Sequence, residues 1–217
     1  EEAFLEIDRW ALARLGQVQG KVLEAYGKYQ FHAVYHTLHN FCAVDLSAFY
    51  LDILKDRLYV LAPESTSRRA AQTVLHEILE SLVLLMAPIL SFTAEEIWQH
   101  MPGEGGRGES IFLGLFPAAR DISGSEDLLK RWERLQEVRR VVNKALEEAR
   151  KEKGLGQSLA ARVTISADEA TVEFLKSFDR DLESIFIVSE VELAAGSEPF
   201  PGGDNFTVTV SSASGDK

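Results

Sequence analysis

Apolar residues recur at Ile7, Trp10 or Ala11, Leu15, Val18, Val22 and Tyr26. That is the 3.6-residue period of a helix burying one stripe. A break over 27–30 leads into a second apolar face of Phe31, Val34, Tyr35, Leu38, Phe41 and Cys42. The pattern runs on through Leu46, Phe49, Tyr50, Ile53 and Leu54 to Tyr59. Pro63 and Ser65–Ser67 interrupt it, with Ser67 placed to cap a helix over about 68–86. The second half of that helix (ILESLVLLMA) is apolar on most sides, as the central helix of a bundle would be. Pro88 ends it, and Thr93 with Glu96 has the spacing of a capping box for a short helix, TAEEIWQHM. A glycine-rich loop, GEGGRGES (103–110), precedes a short extended piece, SIFLGLFP. Leu128, Leu129, Trp132, Leu135, Val138, Val142, Ala145, Leu146 and Ala149 then predict a long amphipathic helix over about 126–153, punctuated by Gly154 and Gly156.

Beyond that point the period changes. RVTISA (162–167) alternates as a strand, and ATVEFLKSF reads as a short helix. SIFIVSEVELAA reads as one or two strands and NFTVTVSS as another, while GSEPFPGGDN is loop-like. The predicted class is therefore mainly α. A helical bundle over 1–154 is followed by a small α+β subdomain over 155–217 with a loop-like tail.

Composition narrows the class. Hydrophobic residues make up 46% and charged residues 26% of 217, ordinary values for a globular chain. No apolar run approaches the roughly 18–20 residues that span a bilayer, so no membrane partner is expected. The start, EEAFLEIDRW, has no signal-peptide character and no initiator methionine, which reads as a piece of a longer, cytoplasmic protein. The single cysteine, Cys42, excludes an internal disulfide and a Cys-rich zinc knuckle. A net charge of −11 argues against bulk capture of nucleic acid, DNA included. The charge is uneven, however. Residues 130–153 hold nine basic and five acidic side chains, a local +4, whereas 164–217 hold eleven acidic and three basic, a local −8. An RNA partner should meet the first segment and avoid the second.

Little in the chain suggests catalysis. His32, His36 and His39 lie at i, i+4 and i+7, flanking one helical stripe. A metal-dependent helical-bundle enzyme built on them is one reading. The outer two rings would lie about 10 Å apart along the axis, which favours boundary residues of a bundle helix over ligands to one ion. His76-Glu77-Ile78-Leu79-Glu80 has Glu80 where the zinc-protease motif needs a second histidine. GEGGRGES lacks the lysine and following helix of a phosphate loop, and no nucleophile elbow is visible. No catalytic residue and no metal ligand is assigned. Asp45, Asp52 and Asp56 read as a solvated face. The basic residues Lys130, Arg131, Arg134, Arg139, Arg140 and Lys144 lie largely off the long helix's buried stripe. On spacing alone they form an exposed face laced with i,i+4 pairs; the alternative is a phosphate-tracking surface. Trp10, Phe41, Phe49, Tyr50, Trp98 and Trp132 are assigned to the core.

Four stretches, in order, carry a resemblance: EIDRWALARL (6–15), HAVYHTLHNFCAVDLSAFYLDILKDRLY (32–59), RRAAQTVLHEIL with LMAPILSFTAEEIW (68–98), and EKGLGQSLAARVTI (152–165). Together they resemble the anticodon-binding helical domain of bacterial-type isoleucyl-tRNA synthetases, over about residues 1–195. The DRW start is shared with the valyl and leucyl enzymes, whereas VYHTLHNFC and FYLDILKDRLY are more specific to the isoleucine enzyme. The resemblance implies a class Ia anticodon-binding helical bundle packed beside the anticodon stem-loop of tRNA(Ile) and joined to the remainder of a synthetase chain. The parent activity would be ATP- and Mg-dependent ligation of isoleucine to tRNA. The HIGH and KMSKS signatures, the Rossmann core and the editing domain have no counterpart in these 217 residues, so this stretch alone is expected to be non-catalytic. A Cys-rich zinc module that often closes bacterial members is likewise not represented. Charge and predicted exposure select Arg131, Arg134, Arg139, Arg140 and Lys144 as the principal tRNA-binding candidates, with Arg9, Lys21, Lys55 and Arg57 secondary. The rival without RNA is a helical protein-interaction module.

Overall fold

In a computed structural model, residues 4–102, 108–153, 161–178, 181–196 and 206–213 are described, and the side chains of 152 and 153 are not. The chain divides into two compact units, Glu1–Leu129 and Lys130–Lys217. The first is helical: α1 (Glu6–Gly27), α2 (Phe31–Asn40), a π-helical segment (Phe41–Tyr50), α3 (Leu51–Ile53), α4 (Lys55–Tyr59), α5 (Thr66–Met86), α6 (Ser91–His100) and a 3-10 turn (Ile111–Leu113). Trp10, Leu15, Val18 and Val22 of α1 bury their stripe with Val34 and Leu38 of α2 and with Val74, Ile78 and Leu85 of α5. Gly16 lets the chain return closely across α1, since a Cβ there would meet Ile122 at 2.5 Å. A second core gathers Val83, Ala87, Ala94, Trp98, Met101 and Ile111 under α5 and α6. There the Trp98 indole donates to the Gly108 carbonyl at 2.9 Å. All six aromatics assigned to the core are buried.

The π segment is the main departure from simple helical periodicity. Its i→i+5 pattern widens the turn. Buried positions now fall at Phe41, Asp45, Leu46, Phe49 and Tyr50, and the stripe resumes at Ile53 and Leu54. Asp45 is thereby carried inward, 8% exposed, and takes an ion pair from Arg14 at 3.0 Å. The solvated face expected for Asp45, Asp52 and Asp56 holds only for the last two.

Four local expectations need correction. Helix α5 begins at Thr66 after Ser65, so Ser67 lies inside it and caps nothing. Helix α6 begins at Ser91, which places Thr93 and Glu96 within the helix rather than at a capping box. Glu95 does the local work instead, accepting from Ser110 Oγ and the Ile111 amide. SIFLGLFP is partly a 3-10 turn. Phe31 and Tyr35 stand 51% and 56% exposed, off the apolar face assigned to them.

The second unit contains nearly all of α7 (Glu126–Lys153), followed by β1 (Ala161–Ala167), α8 (Glu169–Lys176), α9 (Asp181–Phe186), β2 (Glu190–Ala195) and β3 (Phe206–Ser212). The sheet order is β2-β1-β3, with β1 parallel to β2 and antiparallel to β3. Ala161, Val163, Ile165 and Ala167 alternate to the buried face of the central strand, the pattern that predicted it. The sequence reading of SIFIVSEVELAA as strand is corrected over its first part. Ser184, Ile185 and Phe186 close α9, and Ile187 turns the chain at φ 57, a conformation rare for a β-branched residue. The long helix is grouped with the sheet, whereas the sequence reading grouped it with the bundle. The glycines at 154 and 156, the core of the glycine-rich loop and most of GSEPFPGGDN lie outside the described residues.

Candidate nucleic-acid interface

The nine basic candidates fall into two groups, one in each unit, and the structure gives them unequal surroundings. In the second unit, three arginines of α7 fasten the helices that follow it. Arg139 is 8% exposed, and its Nε donates to the Ile185 carbonyl at 2.8 Å, in the last turn of α9. Arg131 donates to the carbonyl of Ser177, the C-cap of α8, at 3.2 Å, with its guanidinium 4.1 Å from the Phe178 ring centroid. Arg134 donates to Thr171 Oγ1 at 3.0 Å and lies 4.2 Å from the Phe174 centroid. The last carbonyls of a helix lack intrahelical donors and carry the negative end of its dipole, so a guanidinium is their natural partner. The exposure expected for Arg139 is thus corrected: its charge closes α9. Arg140 and Lys144 remain exposed, and among the described residues Arg140 has a loose 3.7 Å ion pair to Glu137.

In the first unit, Arg57 is also absorbed. It grips Asp8 through both terminal nitrogens at 2.9 and 2.8 Å, and donates to the Ser67 carbonyl at 2.8 Å. Asp8 is fully buried, and it also accepts from Tyr50 Oη at 2.8 Å and from the Leu5 amide at 3.1 Å. Burial first, and then the Asp8 carboxylate, push the Tyr50 hydroxyl far above its ordinary pKa of 10.0. This network joins α1, the π segment, α4 and α5. Asp8, Tyr50 and Arg57 come from IDRW and FYLDILKDR, so two of the strings that carry the resemblance meet at one buried ion pair. Lys55 is exposed and pairs with Asp52 at 2.6 Å. Arg9 and Lys21 are exposed on α1, and Lys21 lies close enough to act on Asp45.

The three histidines of α2 are all exposed. Among the described residues no group of three or more His, Cys, Asp or Glu is placed to hold a metal ion. His76 and Glu77 do not form a ligand pair; Glu77 instead takes the Arg120 guanidinium. No helix among the described residues is long and apolar enough to cross a membrane.

One surface was missed by the sequence reading. Residues 25–44 contain no Asp or Glu, the longest such run in a chain with 34 carboxylates. Across 9–44 there is one acid, Glu24, against Arg9, Arg14, Lys21 and Lys28. Glu24 is occupied by Lys28 at 2.5 Å, and both side chains are solvent-exposed. The signal was legible as a missing residue type rather than as a cluster of basic ones.

Residues 8–165 match the family model described as the anticodon-binding domain of tRNA ligase. The chain is 52% identical over 194 residues to an isoleucine–tRNA ligase of Syntrophotalea carbinolica, covering 89% of this chain and 21% of that protein. It is 49% identical over 202 residues to the isoleucine–tRNA ligase of Moorella thermoacetica, with 93% and 22% covered. With that of Desulfitobacterium hafniense the figures are 47% over 219 residues, 98% and 24%. The chain therefore spans about a fifth to a quarter of the length of these relatives. A mainly helical chain with a small sheet, a buried Asp8–Arg57 clamp built from two of the strings that carry the resemblance, and a family match over 8–165 lead to one conclusion: this chain belongs to the anticodon-binding domains of tRNA ligases.

Proposed function

We propose that this chain is the anticodon-reading portion of an isoleucine–tRNA ligase and acts by positioning rather than by chemistry. The observation that carries the reading is the identity of about one residue in two with isoleucine–tRNA ligases across nearly the whole chain. Its partners are the anticodon stem-loop of tRNA(Ile) and the remainder of the ligase chain, in the cytoplasm. ATP and Mg serve the parent reaction elsewhere in that chain, and a C-terminal zinc module, where a ligase has one, would help hold the anticodon loop. An anticodon loop offers unstacked bases to hydrogen bonds and aromatic faces, while Lys and Arg hold its phosphates. Arg140 and Lys144 in the second unit, and Arg9 and Lys21 in the first, are the phosphate contacts favoured by exposure. Lys55 is the next candidate. Arg131 and Arg134 keep part of their charge at the surface while fastening α8. Arg139 and Arg57 support the scaffold from within.

The test is a gel-shift series across salt concentrations. Arg140→Glu with Lys144→Glu should weaken tRNA(Ile) binding and flatten its salt slope by about one unit per lost phosphate contact. Unfolding by urea should be nearly unchanged. Unaltered affinity and slope would remove these two residues from the interface.

A further inference from the structure

Helix α2 buries only Val34 and Leu38 of its ten residues. Its outer face presents Tyr35, 56% exposed, with its ring centroid 5.2 Å from that of His36 and 5.6 Å from that of His39. His32, His36 and His39 are exposed beside it, and Phe31 and Tyr29 continue the aromatic row at 51% and 81% exposure. Half-exposed rings on a rigid helix are unusual for a merely solvated surface, where charged residues prevail. These rings also lie in the longest carboxylate-free run of an acidic chain, preceded on α1 by exposed Arg9 and Lys21.

We propose that this outer face of α2, centred on Tyr35 between His36 and His39, is a stacking platform for unpaired bases of the tRNA anticodon loop. The inference rests on the proposed function and adds the surface that touches bases. Three features of the face fit a base better than an apolar protein partner. It is built of flat π systems rather than aliphatic side chains. Its phenol and imidazoles carry donors and acceptors suited to base edges. The helix that carries it has no carboxylate to repel the flanking phosphates. Stacking tolerates any base, so the platform would hold the loop open while hydrogen bonds elsewhere choose the sequence.

Fluorescence anisotropy of the whole chain tests this with two labelled RNA hairpins. One is the tRNA(Ile) anticodon stem-loop, and the other is the same stem closed by a tight tetraloop. Tyr35→Ala should weaken stem-loop binding by about tenfold and leave the tetraloop hairpin unchanged, while Tyr35→Phe should stay within about twofold of wild type. Tyr35→Leu keeps apolar bulk but no π face and should behave like Tyr35→Ala. Thermal melting of each variant should match wild type, because the side chain is half-exposed. Equal stem-loop binding by wild type and Tyr35→Ala would overturn the inference, as would equal losses on both hairpins or a Tyr35→Leu as strong as Tyr35→Phe. In each of those cases the proposed function would stand. Wild-type chain that holds neither hairpin would overturn both.

Discussion

Single residues in this chain divide between those that build the scaffold and those left to meet a partner, and charge alone does not sort them. Arg57 and Arg139 look like surface cations in the sequence, yet one neutralises the fully buried Asp8 and the other closes a helix end. Removing one partner of a buried ion pair strands the other. Arg57→Ala should therefore cost about 3–5 kcal/mol in urea unfolding. Lys55→Ala, which breaks only an exposed pair, should stay within about 0.5 kcal/mol. Arg139→Glu should unfold the second unit at lower urea than Arg140→Glu, since only the first places a carboxylate against a carbonyl. Asp45 gives a pH signature. Burial raises its carboxyl above the ordinary 3.8, outweighing the opposing pull of Arg14 and Lys21. A raised folded pKa stabilises below the unfolded value and loses that contribution as pH climbs through the raised one. Asp45→Asn should therefore flatten this fall in stability across the lower acid range, measured by urea titration at successive pH values.

Elements show where patterning speaks and where it falls silent. The long helix was readable to its ends, because nine apolar positions keep one period over its whole length. Strand β1 was equally clear, since its alternation is uninterrupted. The π segment was not, because a widened turn leaves almost the same apolar residues in almost the same order. Only the inward swing of Asp45 betrays it. Helix α9 was misread because Ile185, Phe186 and Ile187 have strand propensity, and tertiary packing of Leu182, Ile185 and Phe186 overrides it. The bonds from Arg131 and Arg139 to helix ends could not be seen either, since each links residues 46 apart. Trp132 anchors this unit edge-on to Phe178, with centroids 5.7 Å apart. Trp132→Ala should cost about 3–5 kcal/mol of its stability, read from calorimetry, whereas an exposed α7 change such as Lys144→Ala should cost almost nothing.

At the scale of the whole molecule, a net charge of −11 and the proposed RNA partner are reconciled by distribution. Carboxylates crowd the sheet unit's C-terminal part and vanish from residues 25–44, while basic residues remain exposed on α1 and α7. Binding should accordingly be salt-sensitive. The family could be recognised from sequence strings alone; which of their residues are structural could not, because Asp8, Tyr50 and Arg57 converge only on folding. A protein-interaction module would have no reason to distinguish one tRNA from another, whereas an anticodon reader must. The direct measurement is titration of the chain with tRNA(Ile) and with the same tRNA carrying a substituted anticodon, at one moderate salt concentration. The account predicts clearly tighter binding of the native anticodon, by about tenfold for each base whose hydrogen bonds are lost, taking about 1–3 kcal/mol per polar group left unsatisfied. Equal binding of the two tRNAs would contradict it.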